Sequence, residues 1–145
     1  MTTTHVSGLD ESIHKTNVWL KELREELGVD SSQAAFTALR ATLHAIRDRL
    51  SVEEAADFAS QLPTVLRGVY YENWGGSSSH KGRRTGESFL ADIRDAFRPG
   101  PDEPPGVTPE QAVRAVKALL DRHVSEGQLR HVRSALPDQV SEMVM

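Results

Sequence analysis

Apolar residues recur at intervals of three and four along most of this chain, the spacing that places them on one face of a helix. In "DESIHKTNVWLKELREELG", Ile13, Thr16, Leu20, Leu23 and Leu27 share such a face, and Gly28 suits the position just past a helix end. Asp30 or Ser31 then caps "SQAAFTALRATLHAIRDRL", whose stripe is Phe36, Leu39, Leu43, Ile46 and Leu50. Ser51 opens "VEEAADFASQ", with Glu54 placed to complete a capping box. Pro63 fits the first turn of a fourth helix that runs to about Asn73. No segment alternates as a strand would, so the expected fold class is all-α, a helical bundle.

Two stretches interrupt the pattern. "GGSSSHKGRRTG" (75–86) reads as a flexible loop and "RPGPDEPPGVTP" (98–109) as a stiffer proline-rich connector. The segments "ESFLADIRDAF", "PEQAVRAVKALLDRH", "SEGQLRHVRSALP" and "DQVSEMVM" around them are again helical in pattern. They repeat the first half. "WLKELREEL" (19–27) aligns on "FLADIRDAF" (89–97), "AFTALRATL" (35–43) on "AVRAVKALL" (112–120), and "RLSVEEAADFASQLP" (49–63) on "HVSEGQLRHVRSALP" (123–137). The offset moves from 70 to 77 across the connector and to 74 where the second helix loses a turn. The expected organisation is a mobile N-terminus over 1–9 and one helical domain over 10–145. That domain comprises unit one at 10–74, the loop at 75–86 and unit two at 87–145, two related four-helix units in one bundle.

"ALRATLHAIRDRLSVEEAADFASQLPTVLRGVYYENW" resembles the first unit of the DUF2267 family, bacterial proteins of unknown function. "LHAIRDRL" and "LPTVLRGVYYENW" carry the resemblance, which is close over about 13–97 and weaker through the second unit. It implies a helical fold and no assigned activity, so it transfers no catalytic residue.

Composition narrows the chemistry further. The 145 residues carry a net charge of −4, so bulk electrostatics gives no support for nucleic acid or an anionic membrane as partner. With no cysteine, thiol catalysis, disulfides and thiolate metal sites are excluded. The N-terminus lacks a charged-then-apolar signal pattern and no apolar run reaches membrane length, so a cytoplasmic location is expected. The glycine-serine loop has no Gly-Lys-Ser/Thr and no Gly-x-Ser-x-Gly; at most Lys81, Arg83 and Arg84 would contact an anion. None of the six histidines forms a His-Glu-x-x-His pair, so neither a metal nor a cofactor is expected. His44 stands out beside its apolar stripe, with Arg47 and Asp48 three and four residues on; a structural His44–Asp48 pair is the plainest reading. Interleaved acids also break up any basic stripe that a DNA-reading helix would need.

The densest segment is "LPTVLRGVYYENW" (62–74), with three of the eight aromatic residues. On a helical wheel Leu62, Val65, Leu66, Val69 and Asn73 form a core stripe, and Arg67, Tyr70, Tyr71 and Trp74 an adjoining face. The second unit keeps Leu136, Val140 and Met143 at the stripe but has Ser141 for Arg67, Glu142 for Gly68 and Met145 for Tyr71. The second face is therefore what distinguishes this segment, and Gly68 leaves room for another helix to approach. The face could cover the junction between units, with Arg67 stacked on Tyr71 or Trp74. It could instead be an exposed patch for self-association or a protein partner. Taken together, the sequence reads foremost as a non-enzymatic interaction or scaffold module. The alternative is a small-molecule-binding protein or enzyme with a cleft near Arg67, Tyr71 and His44.

Overall fold

The computed structural model describes residues 4–75, 84–97 and 106–144, which hold eight helices. The central part of the 75–86 loop, most of the 98–109 connector and the first three residues lie outside this description. α1 (Ser7–Leu27) begins inside the N-terminal stretch read as mobile and ends at Gly28. Gly28 takes the left-handed conformation (φ 71°), and its N–H reaches the carbonyls of Arg24 and Glu25. α2 (Ser32–Arg47) starts at Ser31, whose hydroxyl accepts from the Ala34 N–H at 3.0 Å. α3 (Val52–Ala59) opens on the reciprocal Ser51–Glu54 capping box.

α4 (Thr64–Tyr70) follows Pro63 and stops three residues short of the expected end at Asn73. α5 (Gly86–Ala96) is capped by Thr85, and α6 (Pro109–His123) by a Thr108–Gln111 box. Ser125 caps α7 (Glu126–Ala135), and Pro137 precedes α8 (Asp138–Met143).

α2 and α6 form the centre and pack against each other. α1 lies on α6 and α2, α5 lies on α2 and α6, and α3 meets α7. α4 rests on α1 and α2, as α8 rests on α5. Alanine makes the closeness of α2 feasible: Ala34, Ala35, Ala38, Ala41 and Ala45 are all buried, so neighbours contact it on several sides. Leu39, Leu43, Ile46 and Leu50 are buried as their spacing predicts, while Phe36 is half-buried. On α1 the buried line is Ser12, Thr16, Trp19 and Leu23, rotated from the expected face, with Ile13, Leu20 and Leu27 at its half-buried edge.

Candidate functional site

Seven residues are too few for a helix to stand alone in water, so α4 depends on what holds its ends. At its N-terminus Pro63 offers no side-chain acceptor. The buried Ser12 of α1 supplies one, accepting from the Val65 N–H at 3.0 Å. At its C-terminus the Arg67 and Val69 carbonyls accept from the Tyr71 and Glu72 N–H groups, each at 3.1 Å, and the last turn presents the negative end of the helix dipole.

Arg40, His44 and Arg47, spaced four and three residues apart on α2, meet that end together. His44 Nε2 lies 2.7 Å from the Val69 carbonyl. Arg47 Nη1 donates to the carbonyls of Tyr70 at 2.6 Å and Glu72 at 2.7 Å. Its Nε and Nη2 reach Asp48 Oδ1, each at 2.9 Å. Arg40 Nε contacts the Glu72 carboxylate at 2.8 Å near the surface.

Arg47 is only 3 % exposed, an unusual place for a guanidinium, and it is accommodated because two carbonyls and a carboxylate receive it. A carbonyl can only accept, so His44 Nε2 must carry the proton it donates to Val69. Burial lowers the His44 pKa; Arg47 and Arg40 push the same way, against the Val69 bond and Glu72. The expected His44–Asp48 side-chain pair is thus replaced by a bond from His44 to the next helix but one, while Asp48 receives Arg47.

The clamp fixes a line of aromatic rings running from core to surface. Phe58 meets Tyr70 edge-on at 5.7 Å, Tyr70 meets Tyr71 at 5.2 Å, and Tyr71 meets Trp74 at 5.3 Å. Tyr70 is fully buried and its hydroxyl donates to the Ala55 carbonyl at 2.9 Å; burial raises its pKa further from neutrality. Tyr71 and Trp74 are half-buried. Between them Asn73 adopts φ 54°, a left-handed turn that asparagine tolerates better than most residues. Among the described residues, the buried Trp74 indole N–H finds no hydrogen-bond partner.

Several expectations need correcting. Tyr70 belongs to the core rather than to an exposed face, and the buried residues of α4 are Leu66 and Tyr70, with Leu62 buried just before it. Val65 is 38 % exposed, Val69 half-buried and Asn73 exposed. Arg67 stacks on neither Tyr71 nor Trp74: its Nε and Nη2 donate to the carbonyls of Ala59 and Leu62, each at 3.1 Å, closing the end of α3. Among the described residues no helix of this chain packs on Gly68, where an added Cβ would meet nothing within 4 Å. Arg84 is exposed, and Lys81 and Arg83 lie outside the described residues. The clamp's spacing on α2 was visible in the sequence. Its partner was not, because a periodic pattern does not say which helix end another helix will meet.

Away from the clamp, a groove of about 560 Å³ lies between α1 (His14, Val18, Trp19), the α3–α4 turn (Gln61, Pro63) and His123 at the end of α6. Arg67, Tyr71 and His44 do not line it. Among the described residues, no helix is long and apolar enough to cross a membrane.

Fold and site together define an all-α bundle whose conspicuous polar cluster is spent on backbone carbonyls. The chain belongs to the DUF2267 family: that family's profile, described as an uncharacterized conserved protein, matches residues 16–143. Curated proteins provide no match.

Proposed function

We propose that this protein is a non-enzymatic helical interaction module, built as a duplicated four-helix unit, that binds through the Tyr71–Trp74 edge. One observation carries the reading: a buried arginine and a histidine fix the turn after α4, so that a half-exposed aromatic pair stands on a rigid support. Preorganised tyrosine and tryptophan lose little entropy on binding and are the residue types that dominate interface energetics. The occupant is a second copy of this chain. Arg40 and Glu72 flank the pair, each close to 40 % exposed, and opposite charges side by side can exchange partners across a twofold axis.

Matching burial supports the duplication. Trp19 and Phe89, Leu23 and Ile93, and Leu66 and Val140 are buried pairwise at aligned positions, and Ser51 and Ser125 cap their respective helices. The catalytic or ligand-cleft alternative has less support, because the polar ends of Arg67, His44 and Arg47 already serve backbone groups. We take the module to act in the cytoplasm, in keeping with a chain that carries no cysteine.

Sedimentation of the full chain tests this reading. Wild type gains mass with concentration, Trp74→Ala reduces the gain while keeping helical circular dichroism, and Gly68→Ala leaves association unchanged. A wild type that stays monomeric at all concentrations overturns it.

A further inference from the structure

Two helix ends hold the halves of the molecule together with the same device made from different side chains. Just past α2, Arg49 lies over the Phe89 ring of α5 at 5.2 Å and donates to Asp92 at 2.8 Å. At the end of α6, His123 stacks on the Trp19 ring of α1 at 4.7 Å, with its Nε2 at 2.7 Å from Glu22. In each case a nitrogen-bearing group covers an aromatic face and grips a carboxylate three residues further along the facing helix. Arg49 is charged at every physiological pH and its side chain is 1 % exposed. Histidine exchanges its charge between about pH 5 and 8, and the His123 side chain is 25 % exposed.

We propose that His123 is a proton-operated latch between α1 and α6, set over the groove whose wall it shares with Trp19. When protonated, His123 gives Glu22 an ion pair and gives Trp19 a cation on its face, both stronger than the neutral contacts. When neutral it keeps one ordinary hydrogen bond, so the end of α6 loosens and the Trp19 ring opens to the groove. The Arg49 clamp keeps its charge meanwhile and holds the other half in place.

The charged groups around His123 do not all act alike. Glu22 favours the protonated ring, as does its place at the negative end of the α6 dipole. Arg122, which reaches Glu22 at 3.8 Å and Glu26 at 2.6 Å, opposes it, as do Lys15 and any charge on His14 across the groove. Lys15 is itself paired with Glu11 at 3.4 Å, and the α3–α4 turn contributes only the uncharged Ser60, Gln61, Leu62 and Pro63.

Acrylamide quenching of Trp19 in a Trp74→Phe background tests the latch, since Trp19 is then the only tryptophan. Quenching should rise about twofold between about pH 5.5 and pH 8. His123→Arg, which copies the Arg49 clamp, should hold it low at both pH values, and His123→Ala should hold it high. Should His123→Arg fail to fold, Glu22→Gln serves instead and should flatten the response. Equal quenching at both pH values in the wild-type latch, or an undiminished response in the folded Arg or Gln variant, would overturn the proposal.

Discussion

Replacing Arg47 with methionine isolates the clamp, because methionine keeps much of the arginine's length and apolar stem but none of its donors. Two hydrogen bonds from a charged donor to the Tyr70 and Glu72 carbonyls disappear, and Asp48 loses its 2.9 Å contacts. A hydrogen bond to a charged group contributes about 1.5–3 kcal/mol. The Tyr70 carbonyl bond is buried, whereas the Glu72 carbonyl is partly exposed and can recover water. Weighing one full loss against one partial loss gives about 3–4 kcal/mol. At roughly 3 °C per kcal/mol for a domain of this size, the melting temperature should fall by about 10 °C.

Urea unfolding followed by circular dichroism provides the free energy, with two controls. Arg47→Lys keeps the charge but lacks the fork, and should recover only part of the loss. Arg40→Ala removes an exposed pair and should cost less than about 1 kcal/mol. A loss below about 1 kcal/mol for Arg47→Met would refute the clamp as the support of the α4 end.

Gly68→Ala should raise stability by about 0.5–1 kcal/mol, since the site is helical, exposed and open; a loss measured by urea titration would mean that something docks there. Tyr70→Phe should cost about 1 kcal/mol by removing the bond to Ala55, and an unchanged unfolding midpoint would contradict that bond. His44 has a lowered pKa in the folded state, so the unfolded chain takes up its proton first as pH falls. Its stabilising contribution is therefore complete above about pH 6.5 and is lost as pH drops through the folded value. The stability gap between wild type and His44→Gln should shrink from pH 7.5 to 5, and a gap independent of pH would refute the assignment.

Helix positions and caps were readable because each depends on residues within one turn. Gly28, Ser31 and the Ser51–Glu54 box act as their spacing predicts. The facing of short helices was less readable. In α4 the wheel pointed to Val65 and Val69, but contacts with α1 and α2 bury Tyr70 instead. Arg47 was the largest omission as a buried group. An arginine on a helix reads as solvated, and its true partners lie 23 and 25 residues away in the backbone of another element. The His123–Trp19 stack was equally hidden, since about a hundred residues separate the two rings along the chain.

Whether a second copy covers Tyr71 and Trp74 can be read from the fluorescence of Trp74 itself. In a Trp19→Phe background, acrylamide quenching of Trp74 is followed as the protein is concentrated from nanomolar to hundred-micromolar. Quenching should fall as a second copy covers the aromatic pair, and Arg40→Ala should move that fall to higher concentration. Quenching of Trp74 that stays constant across the whole range would contradict the account.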